Sequence, residues 1–280
     1  MSRILVVEDV SDAFSFMREV LTAEGYAVDA ANGGVEALER LKREAFDLIV
    51  LDIWMPRMDG LELLVRLREF PCPPKVVVVT VDDTPETVLE VLRHQGSSYV
   101  IKPFKREELL EAVRNALATP SLSPPIEVVS ARCDWVELLV PCSFPAAETI
   151  QDFLDRLKVG LPDDVRQAVG TAFRELLINA IEWGGQLDPS RKVRIACLHT
   201  PRMLMYRIAD PGPGFPSEAL EHTALSNPPD HPTEHLRVRE QKGIRPGGLG
   251  ILMARAMVDE LVYNEKHNEV VLVKYLRPTG

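Results

Sequence analysis

The N-terminal part of the chain places charged and hydroxyl side chains where short apolar runs end. Glu8 and Asp9 follow ILVV, Asp52 ends FDLIVLD, Thr80 ends KVVVVT, and Lys102 follows SSYVI. These runs are typical of strands, and the carboxyl ends of parallel strands meet at one edge of an open sheet. The sequence therefore predicts that these side chains lie close together.

Three carboxylates at such an edge repel one another unless a cation binds among them. Oxygen ligands of this type suit Mg²⁺, which keeps several water ligands and leaves room for a phosphoryl group. Asp52 is then placed to attack phosphorus and become an aspartyl phosphate, while Lys102 balances the charge of the phosphoryl oxygens. The alternative, that strand-end acids only cap helices, explains any one of these residues but not the whole set.

A second polar pair lies in ELLINAIEWGG, residues 175–185. Glu175 and Asn179 are one helical turn apart, so both emerge on one face among apolar neighbours. Asparagine is a mediocre helix former and is costly to bury without partners. The pair is therefore either a satisfied structural hydrogen bond or part of a ligand site.

Two glycine-rich stretches follow this pair. In Asp210-Pro-Gly-Pro-Gly214, a carboxylate stands beside glycines that let a flat ligand approach the backbone. Gly247-Gly248-Leu-Gly250 opens an amphipathic stretch, and a glycine-rich helix N-terminus offers free amides and a positive dipole end to phosphate. The irregular segment 215–246 separates the two, and loops of that length are usually functional or mobile.

The elements that position the first group alternate apolar runs with amphipathic stretches over the first 118 residues. Runs such as VVVV, apolar on both faces, belong in the middle of a parallel sheet. Five strand–helix units predict an α/β domain with an open, doubly wound sheet and right-handed crossovers.

Residues 119–130, TPSLSPPIEVVS, contain three prolines that favour a stiff extended linker between domains 1–118 and 131–280. In the second domain, neighbouring strands with short turns should pair antiparallel beneath helices on one face, which gives an α+β sandwich. We expect helices at about 146–160, 162–184 and 248–258, and strands at DWVELLV, KVRIACLH, MLMYRIAD, LVYN and EVVLVKYL.

Composition limits the classes of function. The chain has 280 residues, which is enough for two domains. Its net charge is −10 and its sequence contains no dense stripe of Lys and Arg, so we expect no direct contact with nucleic acid. No run approaches the roughly 18 apolar residues of a membrane span. The four cysteines lie far apart without metal-ligand spacing, so we expect reduced thiols in a cytoplasmic protein.

Residues 1–118 resemble a response-regulator receiver domain. The resemblance rests on the acidic pair Glu8 and Asp9, on Asp52 in LDIWMPRMDG, on Thr80 and Tyr99, and on KPF at 102–104. It implies a flavodoxin-like (βα)5 fold with strand order 2-1-3-4-5, phosphorylation of Asp52 from a donor, and an upstream histidine kinase. It also implies that Mg²⁺ binds Glu8, Asp9, Asp52 and the backbone carbonyl of Trp54, and that Thr80 and Tyr99 move together on phosphorylation.

From about residue 131 to 277, the order ExxxN, DxGxG and GxGI resembles the Bergerat ATP-binding fold, also called GHKL or HATPase, an α/β sandwich. The resemblance implies that Asn179 coordinates the Mg²⁺ that joins the phosphates of ATP and that Asp210 accepts from the adenine amino group. Gly212 and Gly214 would shape the base pocket, Gly248 and Gly250 would hold phosphate, and Glu175 would be the base for a substrate hydroxyl.

The subfamily is indicated by what surrounds these motifs. No helix pair that carries a phosphorylated histidine precedes the second domain, and DWVELLVPCSFPAAETIQDFL leading to FRELLINAIEWGG is similar to anti-sigma-factor serine kinases. The resemblance implies that Asp52 phosphorylation controls an ATP-dependent serine/threonine kinase. Its substrate would be a STAS-type anti-sigma-factor antagonist, with a sigma factor as the competing partner.

Two alternatives to the serine/threonine kinase stay open at this point. In one, the second domain binds ATP without transferring phosphate and sequesters a protein. In the other, it is a histidine-kinase-like enzyme that acts on a separate phosphotransfer protein. Either a receiver face or the sheet edge of the second domain offers a surface for a homodimer.

Overall fold

The computed structural model describes residues 2–82, 84–94, 96–118, 125–132, 134–156, 161–214 and 249–276. The described residues form two compact units. The first contains the described residues up to 118 together with 152–156, and the second contains 125–151 and the described residues from 161 onward.

The first unit is a five-stranded, fully parallel sheet with strand order β2-β1-β3-β4-β5. Its strands are β1 (Arg3–Val7), β2 (Ala27–Ala31), β3 (Leu48–Asp52), β4 (Lys75–Thr80) and β5 (Ser98–Ile101). Its helices are α1 (Ser11–Ala23), α2 (Gly34–Leu41), α3 (Gly60–Leu67), α4 (Pro85–Arg93) and α5 (Arg106–Ala118). This is the predicted flavodoxin-like fold with the predicted strand order.

The middle of this sheet is apolar on both faces. Every residue of β3 is buried, and so are the four valines of β4. Hydrogen-bonding caps fix where the next helices begin, because the Asp59 side chain accepts from Glu62 N at 2.7 Å and Thr84 caps α4 ahead of Pro85. Strand ends and helix starts are therefore both set locally, which fixes the loops between them.

The second unit is a six-stranded antiparallel sheet with order β10-β11-β9-β8-β7-β6. Its strands are β6 (Glu127–Ala131), β7 (Trp135–Pro141), β8 (Lys192–Thr200), β9 (Met203–Ala209), β10 (Glu260–Tyr263) and β11 (Glu269–Tyr275). Its helical segments are α6 (Phe144–Arg156), of which residues 152–156 group with the first unit, α7 (Asp163–Asn179), a π-helical turn (Ala180–Gly184) and α8 (Gly250–Met257).

Helix α7 covers the buried face of this sheet. Buried and half-buried residues alternate along β7 and β9, as expected for strands with one face in a core. The Phe173 ring of α7 is fully buried and lies 4.9 Å, between centroids, from the ring of Tyr206 on β9. Helix α8 packs against α7 in turn. The α/β architecture with an antiparallel sheet agrees with the prediction.

Two elements differ from those expected from the sequence. Glu127–Ala131, which overlap the predicted linker 119–130, pair with β7 as the edge strand β6. The predicted helix 162–184 is not one α-helix, because α7 ends at Asn179 and the chain continues as a π-helical turn. The irregular segment 215–246 lies outside the described residues. Within the described part of the chain, no helix is long and apolar enough to cross a membrane.

Replacing Phe173 by alanine is expected to lower the free energy of unfolding of the second unit by about 3–5 kcal/mol, because a buried ring leaves a cavity. Urea unfolding followed by tryptophan fluorescence measures the change. Phe144→Ala is the matched control, since that side chain is 40% exposed and should cost far less. Equal losses in the two variants would contradict the described core.

Candidate functional site

Lys102 joins two buried carboxylates at the carboxyl edge of the parallel sheet. Its Nζ donates to Oε2 of Glu8 at 2.6 Å and to Oδ2 of Asp52 at 2.7 Å. Glu8 and Asp52 are 4% and 6% exposed, so neither is hydrated enough to be charged without a partner. Glu8, Asp52 and Lys102, three of the strand-end residues predicted to lie close together, are in contact.

The electrostatics follow from this burial. Burial raises the pKa of the Glu8 carboxyl and the negative charge of Asp52 adds to the rise, although the hydrogen bond from Lys102 opposes it. Burial lowers the pKa of Lys102, but hydrogen bonds to Asp52 and Glu8 outweigh burial, so its pKa is raised. The lysine is therefore held in its charged form between the two acids.

Asp9 completes an oxygen-rich cluster with these acids. One carboxylate oxygen from each of Glu8, Asp9 and Asp52 lies within 4.8 Å of the others. Hard oxygen donors at this spacing fit Mg²⁺. The Trp54 backbone amide donates to Oδ1 of Asp52 at 3.2 Å, which places the Trp54 backbone beside the cluster. That the Trp54 carbonyl is a ligand stays a prediction.

Thr80 and Tyr99 meet at a residue that the sequence did not single out. The Asp82 amide donates to Oγ1 of Thr80 at 3.2 Å, and the Tyr99 hydroxyl donates to the Asp82 carbonyl. The Asp82 side chain accepts from Thr84 N at 2.9 Å and from the Thr87 hydroxyl at 2.7 Å. Asp82 therefore connects the end of β4, the buried Tyr99 ring and the first turn of α4.

In the second unit, the structure brings Glu175 against the start of α8. A Cβ placed on Gly250 would lie 2.5 Å from Oε2 of Glu175, so the Glu175 carboxylate lies directly against the Gly250 backbone. Asn179 is the last residue of α7, one turn beyond Glu175, and both are half-buried. The first and third motifs thus lie side by side, although they are far apart in sequence.

Asp210 directly follows β9, and its side chain lies against the backbone of two glycines, Gly184 and Gly212. Its Oδ1 accepts from Gly212 N at 2.7 Å, and a Cβ on Gly184 would lie 2.2 Å from its carboxylate. Burial raises the pKa of Asp210, while the Gly212 amide and the positive charge of Arg191 oppose the rise. No hydrogen bond to its second oxygen is found among the described residues, so this half-buried carboxylate can accept one from a ligand.

The π-helical turn connects Asn179 to the glycine that contacts Asp210. It spans Ala180–Gly184 and ends where Gly184 meets Asp210. Gly185 follows, and a Cβ there would lie 2.2 Å from Sγ of the buried Cys142. Gly184 therefore belongs to the site through Asp210, while Gly185 packs on Cys142 beside it. The signal for both was the glycine pair that ends ELLINAIEWGG.

Gly214 packs on a distant hairpin. Its φ is +80°, and a Cβ there would lie 1.7 Å from the carbonyl oxygen of Lys266. Glycine is thus required at this position on two counts. Gly248, which was predicted to hold phosphate, lies outside the described residues.

Two family models match this chain. Residues 4–114 match the response regulator receiver domain, and residues 145–274 match the histidine kinase-like ATPase domain. The chain fuses a receiver domain to a histidine kinase-like ATPase domain of the GHKL type. Both predicted resemblances are confirmed at this level.

Several response regulators are similar to about two fifths of this chain. Response regulator MprA of Mycobacterium leprae is 40% identical over 115 residues, which cover 41% of this chain and 50% of that protein. Response regulator ArlR of Staphylococcus aureus is 34% identical over 117 residues, 42% of this chain and 53% of that protein. The chain thus spans about half the length of these two relatives. The solved response regulator TrrA of Thermotoga maritima is 35% identical, with a TM-score of 0.39 over 42% of this chain and 100% of that one.

Replacing Lys102 by methionine should lower the free energy of unfolding of the receiver domain by about 3–5 kcal/mol at neutral pH, because two buried carboxylates lose their cation. Saturating Mg²⁺ should restore part of the loss. Urea unfolding with and without Mg²⁺ measures both effects, and Lys105→Met, at an exposed position, is the control. A variant as stable as the wild type would contradict the described ion pairs.

Replacing Asp82 by alanine removes two hydrogen bonds from the start of α4, to Thr84 N and from the Thr87 hydroxyl. We expect the amides of the first turn of α4 to exchange with solvent about tenfold faster or more, while those of α1 do not change. Hydrogen-exchange mass spectrometry measures both helices. Unchanged protection of α4 would show that Asp82 does not fix this turn.

Proposed function

We propose that this chain is a phosphorylation-controlled, ATP-dependent protein kinase that transfers the γ-phosphoryl group to a serine or threonine of a partner protein. The observation that carries the proposal is the position of Glu175, whose Oε2 lies against Gly250 at the N-terminus of α8. A carboxylate able to accept a proton therefore stands beside the helix start that we propose holds phosphate.

The nucleotide is proposed to bind along the ExxxN, DxGxG and GxGI motifs. Asp210 accepts a hydrogen bond from the adenine amino group, and Gly212 and Gly214 line the base pocket. Asn179 would hold the Mg²⁺ that joins the phosphates, and amides near Gly250 and Gly248 would hold the phosphates themselves. The half-buried Asp210 carboxylate supports this assignment because, in the part of the chain that the structure describes, its hydrogen bond to Gly212 uses only Oδ1.

The transfer balances without a further reactant. The hydroxyl oxygen of the partner attacks the γ-phosphorus, the bond between that phosphorus and the bridging oxygen breaks, and ADP leaves. Glu175 accepts the hydroxyl proton. General-base assistance of this kind is worth about 10²–10⁴ in rate.

The receiver domain is proposed to control this activity. Asp52 would accept a phosphoryl group from the phosphohistidine of an upstream histidine kinase, with Lys102 balancing the added charge and Mg²⁺ held by Glu8, Asp9 and Asp52. Thr80 and Tyr99 would then move together. Their shared partner Asp82 supports this role, since a shift at Thr80 changes the bonds at Tyr99 and at α4.

We further propose a partner of the STAS type, an anti-sigma-factor antagonist, with a sigma factor competing for the kinase domain in the cytoplasm. The support is the similarity of residues 134–185 to anti-sigma-factor serine kinases, together with the ATPase domain and the absence of a phosphohistidine helix pair ahead of it in the sequence. The two other readings, sequestration without catalysis and phosphorylation of a separate histidine, are outcomes of the test below.

Incubation with labelled ATP, Mg²⁺ and a purified STAS-type antagonist should yield acid-stable phosphoserine or phosphothreonine. Glu175→Gln should lower kcat about 10²–10⁴-fold with little change in ATP affinity, since glutamine keeps the shape of the side chain but accepts no proton. Asn179→Ala should lose both Mg²⁺-ATP binding and transfer. Glu148→Gln, at an exposed position on α6, is the matched control.

The label distinguishes the readings. Acid-labile phosphohistidine on a separate partner would favour the histidine-kinase reading, and ATP binding without transfer to any antagonist would favour sequestration. Either result contradicts the proposed serine/threonine kinase.

Phosphorylating Asp52, or binding beryllofluoride there, should change the rate of transfer about 5- to 150-fold, the range of ordinary coupling free energies. Asp52→Asn should abolish the change but keep the basal rate. The same labelled-ATP assay measures the rate, and a rate that is independent of Asp52 would contradict control by the receiver domain.

A further inference from the structure

The loop from Asp210 to Gly214 is fixed by the turn between β10 and β11. The Asp210 amide donates to the Asn268 carbonyl at 2.9 Å, and Nδ2 of Asn268 donates to the Gly212 carbonyl at 3.1 Å. Asn268 thus binds the loop on both sides of Pro211.

A second asparagine fixes the orientation of the first. Oδ1 of Asn264 accepts from the amides of Asn268 and Glu269 at 3.1 and 3.2 Å, and Nδ2 of Asn264 donates to Oδ1 of Asn268 at 2.8 Å. Because Oδ1 of Asn268 is engaged within the turn, Nδ2 is the group that faces the loop. The side chain is therefore preorganised to donate to Gly212.

The loop is held at two further points. Arg191 Nη2 donates to the Pro211 carbonyl at 2.7 Å, and the Lys266 carbonyl lies directly against Gly214. The backbone of the loop is thus held from the start of β8 on one side and from the β10–β11 turn on the other. Such contacts leave little freedom for the residues between them.

The position of the Asp210 carboxylate depends on this loop. Its Oδ1 accepts from Gly212 N at 2.7 Å, so a shift of Gly212 rotates or releases the carboxylate. Asn268 holds the same residue, Gly212, through its carbonyl. A chain of two hydrogen bonds therefore runs from Nδ2 of Asn268 through Gly212 to Oδ1 of Asp210.

We propose that Asn268 is a positioning residue for adenine recognition, which fixes Gly212 so that Asp210 presents its second carboxylate oxygen, Oδ2, to the adenine amino group. The inference rests on the proposed binding of ATP by this domain. It assigns a role in base recognition to a hairpin turn outside the three motifs, and it separates adenine binding from triphosphate binding, which involves other residues.

The test compares Mg²⁺-ATP with Mg²⁺-tripolyphosphate, a probe without a base, by calorimetry on the full chain. Asn268→Asp keeps the Oδ1 acceptor for Asn264 but loses the donor to Gly212. We expect the Kd of ATP to rise about tenfold in Asn268→Asp and in Asn268→Ala, with no change for tripolyphosphate. Glu265→Ala, an exposed position in the same turn, should bind both probes like the wild type.

The outcomes separate the possibilities. Unchanged ATP affinity in Asn268→Asp would overturn the inference, and so would an equal loss for ATP and tripolyphosphate, which indicates a purely structural role. Thermal unfolding checks that each variant is folded, and tripolyphosphate binding at wild-type affinity shows that the rest of the site is intact. A wild-type chain that binds tripolyphosphate but shows no preference for ATP would overturn the proposed function and this inference with it.

Discussion

A carboxylate that leaves water must be given hydrogen-bond donors, and each unit of this chain meets that requirement at the end of a strand. Asp52 ends β3 and receives the Lys102 ammonium at 2.7 Å and the Trp54 amide at 3.2 Å. Asp210 follows β9 and receives the Gly212 amide at 2.7 Å. In both cases the donors come from loops. The hydrogen bonds therefore order the loop and also fix the position of the carboxylate.

The surroundings of the Asp52 and Asp210 carboxylates differ in a way that fits the functions proposed for the two sites. Lys102 bridges Glu8 and Asp52, so it already lies beside the charge that the proposed phosphorylation of Asp52 would add. The Asp210 carboxylate is held by the Gly212 amide and lies against Gly184, which suits the proposed role of a fixed hydrogen-bond acceptor for a flat base.

Both folds and part of the candidate site could be predicted because they depend on local sequence patterns. Strand-end acids, valine runs and the three motifs are legible in the sequence, and they predicted both folds and the meeting of Glu8, Asp52 and Lys102. The strand β6 was missed because an edge strand after prolines depends on β7 for its hydrogen bonds. The π-helical turn and the contact from Asn268 to Gly212, 56 positions apart, depend on tertiary packing that no local pattern encodes. The domain boundaries and the roles of single residues stay predictions.

The central proposal is that the Asp210 carboxylate recognises adenine by accepting a hydrogen bond from its amino group. Calorimetry of Asp210→Asn tests it most directly. Because Oδ1 already accepts from Gly212, asparagine would turn its Nδ2 donor toward the adenine amino group, which is itself a donor. The account predicts saturable binding of Mg²⁺-ATP by the wild type, a clear preference over GTP, and the loss of that preference in Asp210→Asn. Equal affinities for ATP and GTP in the wild type, or an unchanged preference in the variant, would contradict it.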